Sequence, residues 1–313
     1  MNKVLIADSV SSAVSEVFDK NGIAYDTKIG LSEDELATEI TEYSGLIVRS
    51  AVTVTEKIIN SAINLKVIGR PGVGVDNVDL KAATNNGIVV MNTPLGNVQA
   101  TAELTFGIIH SLMRKISNAN QSMHQKKWEK KKFIGNEMYG KTIGIIGFGN
   151  IGKKVSQIAH AYGMNVLVYS ASISPEDEKK FNVTNQSIDD ILEGADIITF
   201  HNKLSENSKY LINSNAITKM KKNAIIINCA RGGLVNEKDI KEALEKGNIA
   251  GYGCDVYENE PEQDSIFSSM DNVVMTPHIG ASTIEAQEKV AYQIAEQIVE
   301  FLKNNKIINQ VNK

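Results

Sequence analysis

The chain has 313 residues, of which 33 are basic and 37 acidic, so its formal net charge is −4. This length favours two domains or one large α/β unit. The 42% of hydrophobic residues exclude a disordered protein. Because there is no basic surplus, we expect neither nucleic acid nor an anionic membrane as a partner. No apolar run approaches the roughly 18 residues that a membrane helix needs, and residues 4–7 are too short a run for a signal peptide. We therefore expect a cytoplasmic protein.

The chain contains two cysteines, Cys229 and Cys254. They form no C-x-x-C motif and no pair of histidines lies near them, so the sequence predicts neither a disulfide framework nor a zinc site. Reduced thiols agree with the expected compartment. No metal ion is expected.

Short β-branched runs alternate with longer segments of helical period, which predicts an α/β protein with parallel sheets covered by helices. In the first third, strands are predicted at residues 4–8, 46–49, 67–69 and 88–91, with helices at 12–19 and 33–40. A second series of strands is predicted at residues 142–147, 166–169, 197–200, 224–228, 251–255 and 273–275. This series is more hydrophobic, as expected for strands buried on both faces. The basic run at residues 126–132 is expected to be a solvated surface loop.

Two long helical patterns, at residues 98–116 and 283–301, stand where the two series of strands meet. The second pattern follows the last strand of the central series. The C-terminal helix is therefore expected to return to the first domain and make that domain discontinuous. This arrangement predicts two doubly wound parallel-sheet domains, one made of residues 1–97 and 284–313 and the other of residues 98–283.

Residues 147–152 read G-F-G-N-I-G, between a predicted strand and a predicted helix. In this context the pattern is typical of a dinucleotide-binding turn in a Rossmann domain. Gly147 permits the tight turn, Gly149 lets the backbone approach a pyrophosphate, and Gly152 lets the helix pack on the strand. The N–H groups at the start of the helix can then bind the phosphates.

An acidic residue for the adenosine ribose is expected about 20 residues further on, at the end of the next strand. Position 170, where Asp is expected, holds Ser170. A serine hydroxyl can bind a ribose 2′-hydroxyl, but it does not repel a 2′-phosphate. The sequence therefore predicts NAD as the cofactor and leaves NADP open.

Three polar residues follow the later predicted strands: Arg231, Glu260 and His278. Open α/β sheets bind ligands at the carboxyl ends of their strands. Hydride transfer to a 2-keto acid needs a proton donor for the developing alkoxide and a cation that holds the carboxylate and polarises the carbonyl. His278 and Arg231 suit those two tasks. A carboxylate against the imidazole would fix its tautomer and raise its pKa, which is the role expected of Glu260.

Together, and in this order, these motifs resemble the D-isomer-specific 2-hydroxyacid dehydrogenases over essentially the whole chain. Within the family the similarity is greatest to the branch that acts on a phosphorylated substrate, through residues 69–79 (GRPGVGVDNVD), 92–94 (NTP) and 128–133 (WEKKKF). The resemblance implies a discontinuous substrate domain around a central Rossmann domain. It also implies a homodimer formed through the cofactor domain and the helix at residues 98–116.

The resemblance implies particular roles for residues of this chain. His278 is the expected acid/base, Glu260 its partner and Arg231 the substrate clamp. The residues expected near the cofactor, besides the three glycines of the turn, are Asn150, Ile151, Ser170, Asn202, Cys229, Ala230, Asp255 and Gly280. The residues expected to bind substrate are Val73 and Gly74 through their backbone amides, and Arg49, Arg70 and Lys130 at the phosphate. Clustered positive charges and the paired N–H groups of arginine side chains favour the binding of a phosphate group. Any one of these three side chains could instead be an ordinary surface charge.

The function implied is the reversible oxidation of D-3-phosphoglycerate to 3-phosphohydroxypyruvate, the entry to serine synthesis. A glyoxylate or hydroxypyruvate reductase, or another D-2-hydroxyacid dehydrogenase, is the alternative within the family, and a non-catalytic NAD-sensing scaffold is the remote one. Because only 35 residues follow His278, we expect no appended regulatory module in this chain.

Overall fold

The computed structural model describes residues 2–312. The chain divides into two compact units. Unit 1 contains the residues up to Val98 and those from Ala281 onward, and unit 2 is Gln99–Gly280. Each unit is built on its own parallel sheet, which confirms the predicted α/β class. The boundaries predicted from the sequence, after residue 97 and before residue 284, lie close to the divisions between these units.

The helices and strands alternate along the chain. Up to the end of the first sheet they are β1 (Lys3–Ile6), α1 (Ala13–Asn21), β2 (Ala24–Thr27), α2 (Glu33–Glu39), β3 (Gly45–Ile47), α3 (Glu56–Ser61), β4 (Val67–Arg70), α4 (Leu80–Asn85) and β5 (Val89–Asn92). Then follow α5 (Val98–Arg114), α6 (Ile116–His124), β6 (Thr142–Ile146), α7 (Asn150–Ala161), β7 (Asn165–Tyr169), α8 (Pro175–Phe181), β8 (Thr184–Asn185), α9 (Ile188–Gly194), β9 (Ile197–Phe200), α10 (Ser214–Thr218), β10 (Ile225–Asn228), α11 (Glu237–Glu245), β11 (Gly251–Cys254), β12 (Val273–Met275) and α12 (Ile284–Asn304).

Both sheets are doubly wound. The sheet of unit 1 has five strands in the order β2-β1-β3-β4-β5, and the sheet of unit 2 has seven in the order β12-β11-β10-β9-β6-β7-β8. All the paired strands within them run parallel. In unit 2 the order reverses between β6 and β9, the point where sheets of this kind bind their ligands.

The core of each unit lies on both faces of its sheet. In unit 2 every residue of β9, β10 and β11 is buried, as predicted for central parallel strands. In unit 1, α12 lies so close to β4 that a Cβ added at Gly69 would come within 2.6 Å of Ile298 Cδ1 and 2.8 Å of Ile294 Cγ1. The C-terminal helix α12 therefore packs against the sheet of unit 1.

Several predicted elements differ from the structure. The strands β2 and β8 were not predicted, because their sequences are short, mostly exposed and lack an apolar alternation. The helix predicted at residues 98–116 is broken at Lys115, whose φ of 52° is left-handed, and a second helix, α6, follows. The basic run predicted as a loop is exposed and contains one 3-10 turn at Lys130–Phe133. No helix among residues 2–312 is long and apolar enough to cross a membrane.

Candidate active site

The glycine-rich turn of unit 2 joins β6 to α7, as the sequence predicts. Gly147 has a φ of 98°, and a Cβ added there would lie 2.5 Å from the backbone nitrogen of Asn202. A Cβ added at Gly152 would lie 2.2 Å from the carbonyl oxygen of Gly147. Both glycines are thus required by close backbone packing. By contrast, a Cβ at Gly149 would meet nothing within 4 Å, so open space lies in front of this residue.

The same region suits a dinucleotide. No side chain caps the N-terminus of α7, which follows Gly149, so its first N–H groups face a site suited to an anion. At the end of the neighbouring strand β9, the Asn202 Oδ1 and His201 Nδ1 atoms are buried and have no hydrogen-bond partner within residues 2–312. Burial lowers the pKa of His201 to about 3, so its ring is neutral. These open polar atoms and the open turn fit a bound cofactor.

Ser170 follows β7, and its backbone is held by Asn185 of β8. The Ser170 N–H donates to Asn185 Oδ1 at 3.1 Å, and Asn185 Nδ2 donates to the Ser170 carbonyl at 3.3 Å. The Ser170 hydroxyl accepts a hydrogen bond from the N–H of Ser172 at 3.4 Å. The role of Asn185 was not predicted from the sequence, since a side chain that binds only backbone groups belongs to no sequence motif. Ser170 has the position expected of the ribose-binding residue, at the end of the strand after the turn.

His278 and Glu260, which lie 18 residues apart in sequence, form a short polar contact. His278 Nδ1 is 2.6 Å from Glu260 Oε2, and Glu260 Oε1 accepts a hydrogen bond from the Tyr257 N–H at 3.0 Å. The bond to Glu260 raises the pKa of His278 against the opposing effect of burial. Burial acts to raise the pKa of Glu260, but the bond to His278 lowers it overall. The His278 side chain is still 52% exposed, so its ring can reach a ligand.

Asp255 holds the loop that carries His278. Asp255 is 1% exposed. Its Oδ1 accepts hydrogen bonds from the Ile279 N–H at 2.7 Å and the Thr276 hydroxyl at 2.6 Å, and its Oδ2 accepts one from the Gly280 N–H at 2.8 Å. Burial raises the pKa of Asp255, and these hydrogen bonds oppose that effect. They also stabilise the loop while His278 adopts a left-handed φ of 52°, which is strained for a residue other than glycine.

Arg231 follows β10 and completes the predicted trio within unit 2. Its Nη1 donates to the Ala230 carbonyl at 2.6 Å, and Asn228 Nδ2 donates to the Arg231 carbonyl at 2.9 Å. The positive charge of Arg231 contributes to the lowered pKa of Glu260 and acts weakly against the raised pKa of His278. All three residues predicted to be catalytic are therefore within electrostatic range of one another.

The two cysteines are unpaired and buried. Burial raises the pKa of the Cys229 and Cys254 thiols to about 12, so both stay protonated near neutral pH. Cys229 and Ala230 extend from the end of β10 toward Arg231. No group of three or more potential metal ligands occurs in the described part of the chain.

The residues predicted to bind substrate are divided between the two units. Arg49 and Arg70, together with Val73 and Gly74, belong to unit 1, whereas Lys130 belongs to unit 2 and is exposed.

In unit 1 the structure shows how Arg49 and Val73 are positioned. Arg49 is ordered by Asp8, a residue that the sequence did not single out, whose Oδ2 accepts the Arg49 N–H at 2.9 Å. Asn92 Nδ2 donates to the Val73 carbonyl at 2.6 Å. Asp8 follows β1 as Arg49 follows β3, so strand-end position could have identified it.

Known proteins resemble this chain in sequence and in structure. Residues 106–280 match the NAD binding domain of the D-isomer specific 2-hydroxyacid dehydrogenases. The D-3-phosphoglycerate dehydrogenase of Bacillus subtilis is 42% identical over 314 residues, which covers all of this chain and 59% of the relative. The crystal structure of the TT0316 protein from Thermus thermophilus superimposes with a TM-score of 0.91 at 30% identity, covering 99% of both chains. The chain belongs to the D-isomer specific 2-hydroxyacid dehydrogenase family.

A solved structure with a cofactor adds a further likeness. The NAD⁺-bound 3-phosphoglycerate dehydrogenase of Entamoeba histolytica has a TM-score of 0.84 and 28% identity, covering 100% of this chain and 99% of that one. The chain spans about three fifths of the length of the curated relatives it matches.

Proposed function

We propose that this protein oxidises D-3-phosphoglycerate to 3-phosphohydroxypyruvate with NAD, reversibly, as the first step of serine biosynthesis. The single observation that carries the chemistry is the 2.6 Å contact between His278 Nδ1 and Glu260 Oε2, in the unit that also holds the dinucleotide turn. The phosphorylated substrate is supported by relatives named D-3-phosphoglycerate dehydrogenase at 42% and 43% identity.

The side chains account for the proton transfer. In the oxidation, neutral His278 accepts the hydroxyl proton of the substrate at Nε2, since Nδ1 faces Glu260. Glu260 then stabilises the imidazolium that forms. In the reduction, the same imidazolium donates its proton to the developing alkoxide. NAD, when bound at the glycine-rich turn, supplies the hydride acceptor. Arg231 holds the substrate carboxylate and polarises the carbonyl by its charge.

Further contacts to the substrate are assigned to residues of unit 1. The backbone amides of Val73 and Gly74 bind the carboxylate. The guanidinium groups of Arg49 and Arg70 bind the phosphate, because an arginine side chain can donate two parallel hydrogen bonds to a phosphate group. Lys130 of unit 2 adds a third positive charge. Unit 1 is then the substrate domain and unit 2 the cofactor domain.

The proposed active form is a homodimer in the cytoplasm. Large exposed apolar side chains, which favour association, occur between residues 116 and 139 of unit 2: Ile116, Met123, Trp128, Ile134 and Tyr139. The two unpaired cysteines fit a reducing compartment.

A substrate panel tests this function. The purified chain is assayed with NAD or NADH against 3-phosphoglycerate, 3-phosphohydroxypyruvate, hydroxypyruvate and glyoxylate, and turnover is read from the nicotinamide absorbance. We expect the highest kcat/KM for the phosphorylated pair. A higher value for glyoxylate or hydroxypyruvate would indicate a reductase of the same family, and binding of NAD without turnover of any substrate would indicate a scaffold.

A further inference from the structure

Two glutamates outside the predicted trio bind each other's backbone in unit 2. The Glu237 N–H donates to Glu258 Oε1 at 2.9 Å, and the Glu258 N–H donates to Glu237 Oε1 at 2.9 Å. Tyr210 donates its hydroxyl to Glu258 Oε2 at 2.8 Å, so both oxygens of the Glu258 carboxylate accept hydrogen bonds. We call these two residues the Glu237–Glu258 pair.

The pair joins two segments that each carry part of the site. Glu237 is the first residue of α11, which follows the Arg231 loop, and the bond from its N–H satisfies one of the free donors at that helix end. Glu258 lies two residues before Glu260, in the segment that follows β11. Side chains 21 residues apart in sequence therefore fix the Arg231 loop and the Glu260 segment to each other.

A backbone contact shows how tightly these segments are packed. A Cβ added at Gly232, the residue after Arg231, would lie 1.9 Å from both the carbonyl carbon and the carbonyl oxygen of Tyr257. The Tyr257 N–H in turn donates to Glu260 Oε1 at 3.0 Å. Any shift of the Tyr257–Glu258 peptide would thus be transmitted to the Glu260 carboxylate.

The two carboxylates of the Glu237–Glu258 pair repel each other, and uncharged side chains in the same positions would avoid this repulsion. Two carboxylates face the same turn, and burial together with the negative charges of Glu258 and Glu262 raises the pKa of Glu237 against the effect of its backbone hydrogen bond. Uncharged side chains can satisfy backbone N–H groups without this repulsion. A carboxylate gains a stronger bond to an N–H than a neutral acceptor does, which favours a fixed geometry.

We propose that Glu237 and Glu258 are positioning residues, which hold Glu260 in place against His278 by locking the Glu260 segment to the Arg231 loop. This inference rests on the proposed function, because it assigns His278 as the acid/base. The Glu237–Glu258 pair contacts neither substrate nor cofactor in this proposal, and it acts only through Glu260.

The first test is kinetic and uses Glu258→Ala, Glu258→Gln and the control Glu242→Ala. Glu242 is an exposed residue of the same helix α11 that pairs with Lys246. We expect Glu258→Ala to lower kcat/KM by roughly ten- to hundredfold, the effect of a misplaced catalytic group, while the dissociation constant for NADH, read by fluorescence, stays unchanged. Glu258→Gln keeps one oxygen that can accept the Glu237 N–H and should recover part of this loss, and Glu242→Ala should show none. Equal kcat/KM values for Glu258→Ala and the parent would overturn the proposal.

The second test does not require activity. The imidazole of His278 is titrated by NMR in the parent and in Glu258→Ala, and its signal is assigned from the spectrum of His278→Asn. We expect a pKa above the ordinary value of about 6.5 in the parent, a lower one in Glu258→Ala and an intermediate one in Glu258→Gln. If Glu258→Ala does not fold, Tyr210→Phe removes one of the two hydrogen bonds that the Glu258 carboxylate accepts, and a smaller fall in the same direction is expected.

An unchanged His278 titration in the folded Glu258→Ala or Tyr210→Phe variant would overturn the positioning role, whatever the protein catalyses. A chain that turns over no substrate in the panel but shows the expected His278 shifts would contradict the proposed function alone.

Discussion

At the scale of single residues, His278 depends on two carboxylates that act on different parts of it. Glu260 contacts the ring and raises its pKa, whereas Asp255 binds the backbone of the next two residues and stabilises a left-handed loop. The charge of Asp255 also acts to raise the pKa of His278, so this residue supports both the loop and the protonated ring. The three hydrogen bonds that the buried Asp255 carboxylate accepts offset part of the desolvation of its charge.

His278→Asn tests the acid/base role. The variant keeps a polar side chain but loses the group that exchanges a proton, so we expect kcat to fall by roughly 10²- to 10⁴-fold. NADH binding should be unchanged, because the glycine-rich turn is not altered. Steady-state kinetics and a fluorescence titration of NADH measure the two quantities. Turnover close to that of the parent would show that another group moves the proton.

Glu260→Gln tests the origin of the raised His278 pKa. Oxidation needs neutral His278, so kcat/KM for oxidation should rise with pH through a midpoint above 6.5 in the parent. Without the Glu260 charge, burial is the larger remaining effect and the midpoint should move to lower pH. The contribution of the His278–Glu260 ion pair to the free energy of unfolding changes in the other direction with pH. This contribution is fully present below pH 6.5, and it is lost as the pH rises through the His278 pKa of the folded protein. A midpoint that does not move would contradict the assignment of this limb to His278.

Ser170→Asp tests cofactor choice. Asp at this position would accept hydrogen bonds from ribose hydroxyls and repel a 2′-phosphate. We expect the parent to prefer NAD by about tenfold in kcat/KM, about 1.4 kcal/mol, and the variant to widen that ratio by losing activity with NADP. The measurement is kcat/KM for both cofactors in both proteins. Asn185 keeps its two bonds to the backbone of residue 170 in either protein, so an unchanged ratio would mean that a different residue binds the ribose.

At the scale of elements, the packing of α12 on β4 depends on a glycine. Gly69→Ala would place a methyl group 2.6 Å from Ile298 Cδ1, and such overpacking typically costs about 1 to 3 kcal/mol. We expect this loss in the free energy of denaturant unfolding. The double variant Gly69→Ala with Ile298→Val removes the clashing Cδ1 atom and should recover part of it. Additive effects of the two substitutions would contradict a direct clash.

The elements that could be predicted from the sequence are those with a strong local pattern. The bounds of β9 and β12 were predicted correctly, since both are short apolar runs bounded by turns, although only β9 is fully buried. The edge strand β2 was missed because its residues, AYDT, have no apolar face. The break at Lys115 was missed because a lysine gives no signal for a left-handed φ.

The same distinction holds for the site. The spacing of the glycines was enough to predict the turn between β6 and α7, and the contact between His278 and Glu260 joins two residues that were singled out by their positions after predicted strands. The Glu237–Glu258 pair and the hydrogen bonds of Asp255 could not be predicted. They join side chains to backbone groups 21 to 25 residues away, and only the folded chain brings such groups together.

At the scale of the whole molecule, the exposed apolar side chains of unit 2 favour association of two copies of the chain. Trp128 is 82% exposed, and the other large exposed apolar side chains between residues 116 and 139 add to the apolar surface of unit 2. Tryptophan is the side chain that most often contributes strongly to protein interfaces, and its burial removes a large apolar area from water. We therefore expect the parent protein to have twice the mass of one chain in solution, and Trp128→Arg to shift it to a single chain.

The control for this experiment is Ile63→Arg, because Ile63 is 85% exposed but belongs to unit 1. Both substitutions introduce the same charge at an exposed apolar residue, one in unit 2 and the other in unit 1. Sedimentation velocity over a range of concentrations measures the mass of each protein, and circular dichroism checks that each is folded. A charge buried at an interface without a partner costs several kcal/mol, so the dimer of Trp128→Arg should dissociate at concentrations where the parent and Ile63→Arg remain paired. A monomeric parent, or a Trp128→Arg protein that associates as well as Ile63→Arg does, would exclude this segment as the dimer interface.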